Sequence, residues 1–208
     1  MNLQNLQLSG IITRKAMKSA LRALHIGITE IEVANIVRNT FEFFTATEAF
    51  NTLVAFGDNT SNIHNTPTNR ELRKGDVVMI DCGALIRGQA TDMTRTIKFK
   101  GKRNLKFLKI FRLVSSYKKL AEKVFESRGG SADMEKDFKC FLEAFMYSHK
   151  HLLGHIIAGD KVHGGRLSEI TRDKDVVFTI EPGIYVKDFG VRIEDTYAFF
   201  NRNLIKIT

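Results

Sequence analysis

The chain has 208 residues, 43% hydrophobic and 26% charged, enough to form one globular domain with its own core. The net charge of +9 comes from scattered lysines and arginines rather than a basic tract interleaved with aromatic residues, which disfavours nucleic acid as a partner. The sequence contains neither a run of about 20 apolar residues nor a signal peptide, so no membrane association and a cytoplasmic location are expected.

Two amphipathic helices are predicted at the start of the chain. Apolar residues recur every four positions over residues 11–25, which indicates a helix that ends near Gly27. The second helix is predicted to begin after Thr29, because Thr29 and Glu32 have the form of a capping box, and to continue to about Phe43.

An acid-bearing hairpin is predicted next. Residues 50–56 read as a short strand, and the polar loop that follows carries His64. Residues 77–99 then form two alternating apolar runs with a turn between them. These runs contain Asp81 and Asp92, which we expect to face each other across the hairpin. Two like charges so close on apolar strands would repel each other, so this pair suggests a bound cation.

The second half repeats this order. Apolar periodicity predicts a long helix that ends at Gly129 and Gly130 and another from about Ser131 to Phe145. The histidine-rich stretch over residues 149–166 has no clear pattern, and we assign no elements to it.

A second acid-bearing hairpin is predicted over residues 176–200. Apolar runs flank a turn centred between Lys187 and Asp188, and this register places Glu181 opposite Glu194. The chain therefore contains two helices and an acid-bearing hairpin, twice. We predict an α+β fold of pseudo-twofold symmetry, with both hairpins in a curved antiparallel sheet and helices on its outer face.

Four carboxylates at one site would carry an unfavourable charge unless cations neutralised it. Two divalent ions would do so, and oxygen ligands with one imidazole suit Mn, Co, Zn or Fe. Such a pair can share a hydroxide that attacks an amide carbonyl. Cys82 and Cys140 lack the C-x-x-C spacing of a thiolate zinc site.

Five short motifs resemble one known family. They read DCG at residues 81–83, TDMTRT at 91–96, GH at 154–155, TIEPGIY at 179–185 and VRIEDT at 191–196. Together they are similar to the methionine aminopeptidases and proline-specific peptidases, metallopeptidases with the pita-bread fold. The resemblance covers nearly the whole chain and implies a single catalytic domain over residues 1–208.

The resemblance also implies a role for eight residues. Glu181 corresponds to the family's acid/base residue, and His64 and His163 to histidines that contact the substrate or the transition state. Arg192 resembles an arginine that orients the substrate. The five metal ligands would be Asp81, Asp92, His155, Glu181 and Glu194.

The forms EPGIY and VRIED are closest to the proline branch, with Xaa-Pro peptides as substrates. Three positions differ from that branch: Ile156 replaces a glycine, Gly164 a glutamate and Ile63 a proline. His163 also lies eight positions after His155 rather than seven. Members of this branch usually carry an N-terminal accessory domain, and we expect this chain to begin at the catalytic domain.

The expected activity is that of a dinuclear exopeptidase that removes the residue before proline by means of a metal-bridging hydroxide. One alternative is a methionine aminopeptidase. Another is a non-catalytic pita-bread module that binds peptide, protein or nucleic acid. The expected partner is a peptide substrate, and a homodimer remains open.

Overall fold

The chain folds into two halves of similar construction, each with helices packed outside antiparallel strands. The computed structural model describes residues 1–128, 133–148 and 150–208. The predicted boundaries at Gly129, Gly130 and Ser131 lie outside these ranges. None of the helices within them is long and apolar enough to cross a bilayer.

The first half begins with helices α1 (Leu3–Ala23) and α2 (Glu30–Phe43). α1 starts eight residues earlier than predicted, because the Asn2 side chain caps it by accepting a hydrogen bond from the Asn5 amide. The capping box at Thr29 is confirmed, since its hydroxyl accepts from the Glu32 amide and the Glu32 carboxylate accepts from the Thr29 amide.

The strands of the first half follow α2. They are β1 (Thr47–Glu48), β2 (Leu53–Phe56), β3 (Val77–Cys82), β4 (Ala84–Ile86), β5 (Gln89–Ala90) and β6 (Met93–Lys98). A 3₁₀ turn over Gly57–Ser61 opens the loop that carries His64. The strand predicted over residues 50–56 is shorter in the structure, where β2 covers only Leu53–Phe56.

The predicted pairing of Asp81 with Asp92 is wrong by two residues. It required the turn to lie between residues 86 and 87, whereas the structure places the turn at Arg87 and Gly88. Both residues have positive φ, 47° and 74°, as a two-residue type I′ turn requires. Asp81 therefore pairs with Thr94, and Asp92 lies just before β6.

The second half contains α3 (Leu105–Arg128), α4 (Met134–Ala144) and seven strands. The strands are β7 (His155–Ala158), β8 (Lys161–Arg166), β9 (Val176–Ile180), β10 (Gly183–Tyr185), β11 (Gly190–Arg192), β12 (Asp195–Phe200) and β13 (Asn203–Lys206). The prediction did not include β7, β8 or β13.

The register of the second hairpin is confirmed. Ile180 pairs with Asp195 and Gly183 pairs with Arg192, so Glu181 and Glu194 occupy facing positions between these pairs. In spatial order the main sheet of this half is β13-β12-β9-β7-β8, and the first half contributes β2-β3-β6.

The two halves meet where β6 lies beside β12. The Glu194 amide donates to the Thr94 carbonyl at 3.1 Å, and the Arg192 amide donates to the Thr96 hydroxyl at 3.1 Å. Each half has its own apolar core. The acidic residues at the ends of both sets of strands therefore converge at this junction.

Glu30 fixes the loop that carries His64. Its side chain is fully buried, and one carboxylate oxygen accepts from the Phe56 amide and the Asn59 side chain, both at 2.8 Å. The other oxygen accepts from the amide and hydroxyl of Thr68 at 2.9 and 2.7 Å. One acid of α2 thus holds both ends of the loop.

Replacing Glu30 with glutamine should lower the free energy of unfolding by about 2–4 kcal/mol. The amide turns an NH₂ group toward N–H and O–H donors, so buried donors lose their acceptor. Chemical denaturation measures the change. Glu42→Gln, an exposed acid on the same helix, is the control and should change stability by less than about 0.5 kcal/mol. Equal effects from the two substitutions would contradict this role.

Candidate metal centre

A cavity of about 510 Å³ opens at the junction of the two halves. Asp81 comes from β3 and Asp92 from the residues before β6, while Glu181 follows β9 directly and Glu194 precedes β12. We call these four side chains the acidic cluster. All four line the cavity, together with His155, the first residue of β7.

His155 lies among the carboxylates of the acidic cluster. Its Nε2 is 3.6 Å from Asp92 Oδ2 and 3.5 Å from Glu181 Oε1. Asp92, His155 and Glu194 each offer one ligand atom, and these three atoms lie within 4.8 Å of one another. All three residues are buried. Such a group of oxygen and nitrogen donors could hold a divalent metal ion.

Three carboxylate oxygens of the acidic cluster are buried and accept no hydrogen bond from the described residues. They are Asp81 Oδ1, Asp92 Oδ1 and Glu194 Oε1. Buried oxygens without donors are costly unless a cation compensates them, because neither water nor a hydrogen bond then stabilises their charge. The donor set therefore fits a metal centre.

Burial and mutual repulsion raise the pKa values of three carboxyl groups in the acidic cluster, those of Asp92, Glu181 and Glu194. Burial and the charge of Glu194 raise the pKa of Asp92 and of Glu181 well above their ordinary ranges. Burial and the nearby Asp81 raise the pKa of Glu194 to about 8. Burial lowers the pKa of His155 to about 4, so its ring is neutral and available as a ligand near pH 7.

Arg192 is the one guanidinium among the described residues that line the cavity. It is buried and donates to Asp81 Oδ2 at 2.5 Å, to the Tyr185 hydroxyl at 3.0 Å and to the Ile63 carbonyl at 3.1 Å. Its contacts thus join the acidic cluster to the loop that carries His64.

His64 and His163, both predicted from the resemblance, line the cavity near its opening. Both side chains are exposed, His64 on its loop and His163 on β8. The His163 ring lies 4.4 Å from the His155 ring, centroid to centroid. The structure thus brings all eight predicted site residues to one cavity.

Two further polar residues were missed: His151, which lines the cavity, and Tyr185, which lies behind its wall in contact with Arg192. His151 Nδ1 lies 3.6 Å from Glu181 Oε2, and the His151 ring packs edge-on against Tyr185. Tyr185 accepts a hydrogen bond from Arg192. The only signals were the position of His151 four residues before His155 and the place of Tyr185 in the EPGIY motif, and neither indicates a role by itself.

Ile156, which replaces a glycine of the proline branch, does not line the cavity. Its half-buried side chain packs against the core of the second half. The pairing of β7 with β8 is irregular between Ile156 and Ala158. Ile156 therefore does not narrow the cavity.

Comparison with known proteins relates this chain to peptidases. Residues 4–199 match the model of metallopeptidase family M24. An uncharacterized peptidase of Staphylococcus haemolyticus is 30% identical over 200 residues, which are 93% of this chain and 57% of that relative.

Solved structures with this architecture include two peptidases. The prolidase of Pyrococcus horikoshii superposes with a TM-score of 0.87 at 30% identity over 99% of this chain and 61% of that one. The X-Pro aminopeptidase of Thermotoga maritima superposes with a TM-score of 0.87 at 27% identity, over 99% of this chain and 60% of that one. The predicted α+β pita-bread fold is thus confirmed, although the strands of the two hairpins lie in separate sheets rather than in one. The chain spans less than two thirds of the length of these proteins.

Proposed function

The chain belongs to metallopeptidase family M24, and from this premise we propose that it is a metal-dependent exopeptidase that hydrolyses the N-terminal bond of Xaa-Pro peptides. The observation that carries the proposal is the acidic cluster, buried with His155 and with three carboxylate oxygens that accept no hydrogen bond from the described residues. A module that only bound peptide would have no need for four buried carboxylates.

We propose that the acidic cluster and His155 hold two divalent ions, with Mn, Co, Zn or Fe as candidates. The number of charges supports two ions, because four carboxylates and a neutral imidazole carry a charge of −4 when deprotonated. When bound, the ions would polarise the scissile carbonyl and make water acidic enough to supply the nucleophile near neutral pH.

Glu181 is the proposed proton carrier. Its carboxylate lies within 3.6 Å of His155 and His151 and lines the cavity in which the peptide would bind. The nitrogen of an Xaa-Pro bond carries no hydrogen and must be protonated before it leaves as proline. Glu181 can supply that proton, while His64 and His163 at the cavity opening offer N–H groups to the carbonyl oxygen.

The proposed preference for proline rests on two observations. The structural neighbours include a prolidase and an X-Pro aminopeptidase. Four apolar side chains beside the acidic cluster could also enclose a pyrrolidine ring; they are Phe50, Leu53, Ile63 and Leu152.

A peptide panel tests this function. We expect the purified chain, supplied with Mn²⁺ or Co²⁺, to cleave Xaa-Pro peptides at least about tenfold faster than Met-Ala peptides, and a chelator to abolish the cleavage. Release of the N-terminal residue is followed by chromatography. Faster cleavage of Met-Ala peptides would instead indicate a methionine aminopeptidase. Metal binding with no cleavage of any peptide would indicate a non-catalytic module.

A further inference from the structure

A cluster of charged residues lies on the outer face of the sheet, directly behind Glu194. Successive residues of a strand point to opposite faces, so Glu194 points into the cavity and Asp195 points toward helix α3. Asp195 is 2% exposed, and three cations contact its carboxylate. The N···O distances are 2.5 Å to Arg95, 2.6 Å to Lys118 and 2.7 Å to Lys206.

Arg95 reaches from Asp195 to the backbone of Glu194. Its Nη2 pairs with Asp195, while its Nη1 donates to the Glu194 carbonyl at 2.6 Å and to the Thr94 carbonyl at 2.9 Å. A guanidinium presents its donors in a rigid planar fork, so these contacts fix three acceptors relative to one another. Arg95 belongs to β6 of the first half, whereas Glu194 and Asp195 belong to the second.

On the cavity face the same two strands are joined beside the acidic cluster. Thr94, the residue before Arg95, donates its hydroxyl to Glu194 Oε2 at 2.7 Å. Thr94 also pairs with Asp81 across β3 and β6. The contact between Thr94 and Glu194 therefore helps to set the spacing between the carboxylates of the two halves.

Repulsion among these carboxylates opposes that spacing. β6 and β12 belong to separate sheets, so individual hydrogen bonds rather than a continuous ladder hold them together here. Lys118 strengthens the outer cluster, since it is 4% exposed and also contacts Glu122 at 2.7 Å. The outer cluster of Asp195, Arg95, Lys118 and Lys206 thus anchors Arg95 at the point where the two halves meet.

We propose that Arg95 is a positioning residue for Glu194, and that it fixes the distance between the metal ligands of the two halves by holding the Glu194 backbone against β6. This inference rests on the proposed function, because it assumes that the acidic cluster binds metal. Residues that orient a metal ligand typically change metal affinity by about 10- to 100-fold when they are replaced.

Three variants of the whole chain test the inference. Arg95→Met removes every donor, and Arg95→Lys keeps the charge near Asp195 but lacks the planar fork whose two nitrogens reach the carboxylate and the carbonyls. Lys206→Met is the matched control, because Lys206 also pairs with Asp195 but its side chain is half exposed and contacts neither Glu194 nor Thr94. Mn²⁺ is titrated calorimetrically into each metal-free protein, and the EPR spectrum is recorded at saturation.

We expect Arg95→Met to lower the affinity for at least one Mn²⁺ by about 10- to 100-fold and to alter the EPR spectrum. Arg95→Lys should restore the midpoint of thermal unfolding to that of the unmodified chain without restoring the affinity for Mn²⁺. Lys206→Met should bind Mn²⁺ with an affinity within about twofold of that of the unmodified chain. If Arg95→Met does not fold, Arg95→Lys alone decides the question.

Unchanged affinity in the Arg95 variants would overturn the inference and leave the proposed function intact. An equal loss of Mn²⁺ affinity in Lys206→Met, or an unchanged Mn²⁺ affinity in Arg95→Lys, would also overturn it. Either result would mean that a positive charge near Asp195 is enough to maintain the affinity. If the unmodified chain bound no Mn²⁺, the proposed function would fail, and this inference with it.

Discussion

Replacing Glu181 with glutamine is expected to lower peptide hydrolysis by roughly 10²- to 10⁴-fold. The substitution removes a proposed ligand and the proposed proton carrier together, because glutamine has nearly the shape of glutamate but neither its charge nor its titratable proton. Steady-state assays of an Xaa-Pro peptide with saturating Mn²⁺ measure the loss. Glu169→Gln, an exposed acid of the same half that lies outside the cavity, is the control and should keep the original rate.

The same substitution should stabilise the metal-free protein. Burial and the charge of Glu194 raise the pKa of Glu181, so its ionised form is disfavoured in the folded chain. A neutral amide removes this penalty, and we expect the free energy of unfolding at pH 8 in the presence of a chelator to rise by about 1–3 kcal/mol. Opposite changes in activity and stability would identify Glu181 as a residue kept for function at a cost in stability. A loss of both would contradict this explanation.

The parts predicted well from sequence are those set by local rules. The capping box at Thr29 needs only two residues at a fixed spacing, and the hairpin of Glu181 and Glu194 has apolar runs that allow one register. The first hairpin was placed two residues out of register because the prediction assumed that its two acids face each other. Arg87 adopts positive φ at the turn, which composition alone does not indicate.

The features that sequence reasoning missed depend on contacts between distant segments. Glu30 reads as an ordinary acid in the first turn of a helix, yet it binds a loop up to 38 residues away. From the sequence, Arg95 is expected to be an ordinary polar residue on the outer side of a strand. Its partner Glu194, however, lies about 100 residues later in the chain. His151 precedes β7 in a segment without periodicity. No local pattern carries such information, because the fold alone brings these groups together.

Stabilisation by metal should increase as the pH rises from 6.5 to 8. A carboxyl whose pKa is raised on folding binds more protons in the folded state than in the unfolded state. Its contribution is therefore fully present below the unfolded pKa and is lost as the pH rises through the folded pKa. For Glu194 that window extends from about 4.5 to about 8, and the pKa values of Asp92 and Glu181 shift in the same direction.

The contribution of His155 to stability depends on pH in the opposite sense, between about pH 4 and 6.5. Its pKa falls from 6.5 to about 4 on folding, so its contribution to stability is lost as the pH falls below 6.5. Above pH 6.5 the carboxyl groups dominate among these residues. The metal-free protein should then lose up to about 1.4 kcal/mol per pH unit for each carboxyl that stays protonated, while bound metal removes the loss by replacing the protons.

Denaturation at pH 6.5 and pH 8, with a chelator or with excess Mn²⁺, measures this difference directly. We expect the gap between the metal-bound and metal-free proteins to be wider at pH 8, and Glu194→Gln to reduce the widening because one titrating group is gone. The three carboxyls titrate as a coupled set, so the slope belongs to the set rather than to any single residue. A gap of equal size at both pH values would mean that metal does not displace protons from the acidic cluster, which would contradict its role as the ligand set.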